Sequence, residues 1–306
     1  MDKKTRAKEK LARIPIKINN TIPPLKKPKW LKTKLPSIEK IQEIDQLIKS
    51  KSLVTVCEEA SCPNLPECYS RGTATFMILG NKCTRRCSFC DVAHGKPDPI
   101  DKSEPKNLAD AIEKMNLKYA VITSVDRDDL LDGGSEHFLN CVNEIKKKQK
   151  DIKLELLVPD FRGRMEIALA NLNDCNIQVL NHNIETIPRL YKQARPGSDY
   201  KWSLSLLAKY KKMRPDVLTK SGIMLGLGET DEEIYQTLKD LRENNVDIVT
   251  IGQYLSPSEY HLRVDRYVTP EQFNEFSKYA LEIGFKNAVC GPLVRSSYHA
   301  EEHVNF

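Results

Sequence analysis

From residue 73 onward, short and nearly unbroken apolar runs alternate with longer stretches whose apolar positions fall three or four apart. The apolar runs are TATFMIL (73–79), YAVITS (119–124), IKLELLV (152–158), IQVLNHNIE (177–185), TKSGIMLGL (219–227) and DIVTIGQY (247–254). Runs of this length without polar alternation predict strands buried on both faces, as in a parallel sheet covered by helices. The intervening stretches carry helix signals. Thr230 with Glu233 three residues on forms a capping box, and Thr269-Pro270-Glu271-Gln272 opens an apolar-periodic helix reaching to about Ile283. Ahead of the first strand, SIEKIQEIDQLIKS (37–50) has apolar residues at 38, 41, 44, 47 and 48, again helical spacing. Six β–α units predict an α/β fold and fall short of the eight that close a barrel. An open partial barrel and a doubly wound sheet both fit this pattern. Either one puts the chemistry on the loops beyond the C-terminal ends of the strands.

Composition narrows the class. The chain has 306 residues, 40% of them apolar, enough for a substantial core. No apolar run approaches the roughly 20 residues needed to cross a bilayer, and MDKKTRAKEK is followed by no apolar signal core, so a cytoplasmic protein is expected. The net charge of +6 is unevenly spread: residues 1–34 hold twelve Lys/Arg against two Asp/Glu, so the remainder is negative. With five prolines, residues 1–36 read as a basic, extended arm. Such an arm can solubilise or can capture an acidic protein partner. Nucleic-acid binding is disfavoured because the rest of the chain supplies no basic or aromatic platform.

The cysteines change the picture most. Six of the nine lie between Cys57 and Cys90, and without an export signal such clustering points to metal ligation rather than disulfides. Cys83-x3-Cys87-x2-Cys90 falls in the loop after the first predicted strand, with Lys82, Arg85 and Arg86 placed to offset thiolate charge. A structural zinc site closes with four ligands, whereas three thiolates on a four-iron cubane leave one iron open. A zinc knuckle with a distant fourth ligand, or a redox CxxC, are the alternatives. Cys57-x4-Cys62-x5-Cys68 forms a second trio with no histidine in residues 53–72. Cys141, Cys175 and Cys290 lie in apolar surroundings and read as ordinary buried thiols.

CTRRCSFC, with Phe89 before its last cysteine, resembles the C-x3-C-x2-C signature of the radical S-adenosylmethionine (SAM) enzymes. The resemblance implies a partial (β/α)6 barrel of the radical SAM type, here with N- and C-terminal extensions, spanning residues 73–285. It also implies a [4Fe–4S] cluster whose open iron is chelated by SAM. One-electron cleavage of that SAM gives a deoxyadenosyl radical that abstracts hydrogen from carbon. Candidate SAM contacts by resemblance are Asn183 and Glu185 on one face of NHNIET, Arg195 for the SAM carboxylate, and the glycines of GIMLGLGE, chiefly Gly226 and Gly228 with Gly222 before them. Ser124, Asp126, Ser135 and Glu136 are further candidates to line the site.

The second trio, in the extension 37–72, together with Arg295-Ser296-Ser297-Tyr298 in the segment 286–306, is similar to the lipoyl synthases. That resemblance implies a second [4Fe–4S] cluster held by Cys57, Cys62, Cys68 and a serine, assigned to Ser297 with Ser296 as the alternative. It implies sulfur insertion at C6 and C8 of an octanoyl chain on a carrier-protein lysine, with the second cluster consumed as sulfur donor. The implied partners are octanoylated lipoyl domains of 2-oxoacid dehydrogenase E2 subunits and the glycine cleavage H protein, a ferredoxin- or flavodoxin-type electron donor, and a cluster-repair protein. No nucleic acid and no membrane are expected. The alternatives are another two-cluster sulfur-inserting enzyme, such as a methylthiotransferase, and a non-catalytic iron–sulfur electron carrier. The RSSY element argues against the former, and the glycine-containing strand and long barrel against the latter.

Overall fold

The structure, a computed structural model, describes residues 24–31, 38–70 and 74–304, so most of the basic arm lies outside the described residues. Eight strands form one sheet in chain order: β1 Val54–Thr55, β2 Thr75–Ile78, β3 Tyr119–Ser124, β4 Lys153–Leu157, β5 Val179–Asn181, β6 Leu218–Leu225, β7 Ile248–Gln253 and β8 Asn287–Gly291. β1 is antiparallel to β2, and every later neighbour pairs in parallel. The first and last strands do not pair with each other, so the barrel is open. All six predicted strands are present. β1 and β8 were not anticipated: the first has two residues, and the second (NAVCG) is too short and small-residued to stand out.

Ten helices accompany the strands among the described residues. In chain order they are α1 Ile38–Ser50, α2 Val56–Glu59, α3 Leu65–Ser70, α4 Glu104–Lys114, α5 Ser135–Lys148, α6 Met165–Asn173, α7 Tyr191–Ala194, α8 Tyr200–Met213, α9 Asp231–Glu243 and α10 Pro270–Glu282. β2 and β7 are buried at every position, because helices cover one face and the lumen closes the other. The capping box forms as read: Thr230 accepts from the Glu233 amide while the Glu233 carboxylate accepts from the Thr230 amide. Thr269 caps α10, with Pro270 in its first turn. Two apolar layers pack between sheet and helices, one over β2–β5 and one over β6–β8. None of the described helices is long and apolar enough to cross a membrane.

The concave face is polar at its base. Glu155 on β4 reaches past β5 to Lys220 on β6, with both carboxylate oxygens 3.0 Å from Nζ. Tyr119 and Asn181 donate to the same carboxylate at 2.8 and 2.9 Å. Both charges are completely buried, which only pairing and full hydrogen bonding make tolerable. After β8 the chain turns back along this face. The Val294 carbonyl packs where a side chain on Gly252 would stand, Ser296 packs against Gly222, and the His303 carbonyl accepts from Asn287 at 3.1 Å. The open barrel is therefore filled by its own C-terminal segment.

Candidate functional site

At the C-terminal ends of the strands lies a cavity of about 530 Å³. Its wall takes Ser124 from β3, Leu157 from β4, Asn183 from beyond β5, Met224 from β6 and Tyr254 from beyond β7. Cys83, Cys87 and Cys90 line it on one side and Cys57 and Cys62 on another, with Ser296 and Ser297 also present. Cys68, on α3, does not line it, yet Cys57 feels the charge of both Cys62 and Cys68, so the second trio is one cluster of thiols.

The first trio sits in a loop held at each end. The Cys83 amide donates to Ala93 O at 2.8 Å and the Gly95 amide to Cys83 O at 3.0 Å. Ser88 bonds backbone to backbone with Ala194 at 2.9 Å and with Leu262 at 3.0 Å, tying the loop to α7 and to the segment after β7. Arg85 takes a different part from the charge-offsetting one expected. Its guanidinium is buried and bonds both Asp128 and Asp160 in bidentate fashion, with Ser198 Oγ as a further acceptor. Two carboxylates in a buried setting hold a guanidinium far more strongly than thiolates across a solvated gap can. Lys82 likewise pairs with Asp98, at 2.9 Å.

Burial favours the neutral form of several of these thiols. Burial, then the neighbouring Cys62 and Cys68, push the Cys57 thiol up to about 12, and burial pushes Cys90 up to about 11. Cys83 and Cys87 are also raised, chiefly by burial. Bound iron reverses this preference, since coordinating thiols are deprotonated. The Cys83 sulfur accepts from the amides of Arg85 at 3.3 Å and Asp126 at 3.4 Å, contacts that favour a thiolate. The donor set fits an iron–sulfur cluster at each trio.

The SAM candidates divide. Asn183, Glu185 and Arg195 all line the cavity, but not through strand alternation. β5 ends at Asn181, and Glu185 adopts φ +68°, so the backbone turns and the Asn183 side chain comes near Glu185, favouring its ionised carboxylate. A non-glycine residue in the left-handed region is held there by its surroundings: Glu185 N bonds Gly222 O at 3.0 Å, and Met224 N bonds Glu185 O at 2.8 Å. Arg195 donates to Asn183 O at 3.0 Å and to Tyr191 Oη at 3.1 Å, while its Nε is buried with no partner. Ser124 Oγ, also in the wall, is buried and unpartnered too. These two atoms supply a donor and a hydroxyl to a polar ligand.

Gly226 and Gly228 do not line the cavity. Gly226, at φ +101°, lies hard against Gln253 and the Arg266 carbonyl, and Gly228, at φ +106°, sits near Asp265. Both shape the turn after β6. Asp126 and Ser124 are in the wall, whereas Ser135 and Glu136 begin α5, with Ser135 Oγ bonded to Asp132 O at 3.0 Å. Cys141 and Cys175 are buried and Cys290 partly so, outside the cavity. Sequence reading missed Arg295 and the loop Ser256–His261 as wall residues. His261 packs its ring against Cys90 O, with Nε2 at 3.2 Å. Its place beyond a predicted strand end was the available signal.

The C-terminal element meets the second trio directly. Asn64 donates to Leu293 O at 2.6 Å, and Tyr298 donates to Glu67 at 3.0 Å. Residues 294–297 are thus tethered on both sides to the segment bearing Cys62 and Cys68.

Comparison with known proteins agrees with this arrangement. The model of the radical SAM superfamily matches residues 77–241. A lipoyl synthase of Coxiella burnetii (strain RSA 331 / Henzerling II) is 59% identical over 298 residues, covering 97% of this chain and 95% of the relative. Lipoyl synthases of Methylobacillus flagellatus and Neisseria meningitidis serogroup A are 58% and 57% identical, over 97% and 98% of this chain and 91% and 92% of theirs. Among solved structures, methylornithine synthase gives a TM-score of 0.52 at 15% identity, over 83% of this chain and 72% of that one. Streptococcus suis SuiB bound to S-adenosylmethionine gives 0.52 at 12% identity, over 80% and 57%. At such identities these two speak to the fold alone.

Proposed function

The chain belongs to the lipoyl synthases of the radical SAM superfamily, and from that premise we propose that it inserts two sulfur atoms, at C6 and C8, into an octanoyl chain carried on a lysine of a lipoyl carrier protein. The observation that carries the reading is a single cavity lined from one side by Cys83, Cys87 and Cys90 and from another by Cys57, Cys62 and Ser297. Sulfur insertion requires that the hydrogen-abstracting centre and the sulfur source address one carbon, and a shared cavity provides that proximity.

Cys83, Cys87 and Cys90 would hold the cluster that binds SAM, and Cys57, Cys62, Cys68 and Ser297 the cluster that serves as sulfur substrate. When bound, the first cluster and SAM together supply one-electron hydrogen-abstraction chemistry. The chain's own residues do the rest. Arg195, held by Tyr191 and with its buried Nε unpartnered, would meet the SAM carboxylate, and Asn183 and Glu185 would offer an amide and a carboxylate to SAM's polar groups. Gly226 and Gly228 act indirectly, by turning the chain after β6. Met224, Val158 and Leu255 give the wall an apolar surface for an acyl chain and keep water from the reacting carbon. A serine oxygen is a harder and more weakly held iron ligand than a thiolate, which suits a cluster that is dismantled in use.

The extensions 37–72 and 286–306 would form the second-cluster unit on the barrel 73–285, and the arm 1–36 would meet acidic carrier domains. Carriers of the E2 and H-protein type, a ferredoxin or flavodoxin donor and a cluster-repair protein complete this reading, in the cytoplasm. The test is anaerobic incubation of the reconstituted protein with SAM, reductant and an octanoyl-lysine carrier peptide, followed by mass analysis. Two added sulfurs support the proposal; SAM cleavage with an unchanged peptide would retain the family chemistry and discard the substrate.

A further inference from the structure

Asn183 joins two parts of the cavity that serve different ends. Its Oδ1 accepts a hydrogen bond from Ser296 Oγ at 2.8 Å, while its side chain also lies near enough to Glu185 to favour the ionised carboxylate. The Ser296 bond sets the orientation of the Asn183 side chain. Arg295, the residue before Ser296, feels the charge of both Glu185 and Cys62.

The contact between Asn183 and Ser296 has a built seat. A β-carbon on Gly222 would stand 2.7 Å from Asn183 Oδ1, 2.8 Å from Ser296 Oγ and 2.8 Å from Thr250 Oγ1. Carbon and oxygen do not approach so closely without displacement, so only glycine at 222 lets the two side chains meet over β6. Gly222 has an ordinary negative-φ backbone here, and its requirement is space. One residue further on is Ser297, in a stretch tethered at Leu293 and Tyr298 to the loop bearing Cys62 and Cys68. Between those tethers, the Ser296 side chain hydrogen-bonds the stretch to the barrel wall, beside the packing of the Val294 carbonyl on Gly252.

We propose that Ser296 is a positioning residue that couples the Asn183–Glu185 pair to Ser297, so that SAM held at the pair and a second cluster held through Ser297 stabilise one another. The inference rests on the assignment of Asn183 and Glu185 to SAM and of Ser297 to the second cluster. Its physical content is linkage. A ligand that fixes the Asn183 amide keeps Oδ1 aimed at Ser296, and a stretch fixed by its own ligand to iron keeps Ser296 aimed at Asn183. Coupling of this kind is reciprocal, so either half can be read from the other.

The readout is the SAM dissociation constant of the reconstituted full-length protein, measured by equilibrium binding without turnover, with iron per chain determined on the same samples. Ser296→Ala is expected to weaken SAM binding about fivefold, the lower range of such couplings, while the first trio keeps its iron. Replacing Cys57, Cys62 and Cys68 together by alanine should weaken SAM binding by a similar factor. Adding Ser296→Ala to that triple variant should then change nothing more, because the path is already cut. Gly222→Ala, which wedges the same bond from the opposite side, should reproduce Ser296→Ala.

An unchanged dissociation constant in Ser296→Ala, or effects of the single and triple variants that simply add, would overturn the coupling. Two controls separate that result from failure of the underlying assignments. Asn183→Ala must weaken SAM binding, and Ser297→Ala must lower iron at the second trio. If either control is silent, the assignment falls and the coupling with it; if both respond while Ser296→Ala does not, only the coupling falls.

Discussion

Arg85 Nη2 and Asp160 Oδ1 meet at 2.8 Å in the interior, 75 residues apart in sequence, and the same guanidinium grips Asp128. The arginine lies between two cysteines of the first trio, so this bond fixes the cysteine loop to the loops after β3 and β4. Side-chain exposures of 4% for Arg85 and 1% for Asp160 make it a desolvated pair whose members are costly to orphan.

Removing the guanidinium should therefore be severe. Arg85→Ala is expected to cost about 3–5 kcal/mol of folding stability by stranding Asp160. Arg85→Lys should recover only part, since an ammonium cannot serve two carboxylates in bidentate fashion. Urea unfolding of the iron-free protein measures the loss. Iron analysis should show the first trio depleted before the second.

Metal content tests the two-trio reading. Anaerobic reconstitution should give about eight irons per chain, as two cubanes require. Alanine at Cys83, Cys87 and Cys90 together should leave about four and abolish SAM cleavage. Alanine at Cys57, Cys62 and Cys68 should also leave about four but spare the cleavage. One or two zincs per chain would refute the assignment.

Gly252 yields a prediction remote from either trio. A β-carbon there would collide with the Val294 carbonyl, a backbone group that cannot swing aside. Gly252→Ala should displace the stretch carrying Ser297 and lower iron at the second trio, with the first trio and its electron paramagnetic resonance signal intact. Equal loss at both trios would mean that the substitution disturbs the barrel as a whole.

His182 gives a pH signature. Burial, then the nearby Arg195 charge, lower its pKa from 6.5 to about 4. Nδ1 lies 2.8 Å from Val158 O and Nε2 3.0 Å from Ser203 Oγ, an arrangement satisfied by the neutral ring. The unfolded chain takes up its proton first as pH falls, so this contribution is complete above about pH 6.5 and declines as pH drops toward 4. Between pH 7.5 and 5 the loss should be about 2 kcal/mol. Urea midpoints of the native chain and His182→Gln over that range isolate it, because other titrating groups are common to both. Parallel pH profiles would contradict it.

Local pattern carried much of the fold. Six strands, the Thr230 and Thr269 caps and the position of the cysteine loop follow from interactions within a few residues, and those are written in the sequence. Where tertiary contact sets the geometry, local pattern points elsewhere. An extended segment was expected through Glu185, but pairing with Gly222 and Met224 turns it. Arg85 has thiolates as its sequence neighbours, yet Asp128 and Asp160, distant in sequence, make the stronger bonds.

The donor sets are legible without a fold: two trios of thiols, neither complete, and a pair of serines near the far end. Donor identity and spacing are covalent properties. That five of the six thiols and both serines line one cavity is a consequence of the fold. That depends on an open barrel whose C-terminal segment folds back along its lumen, past two glycines with no side chain to obstruct it. It also separated the serines, since Ser296 is held by Asn183 over Gly222, a contact between residues 113 positions apart that no local pattern encodes.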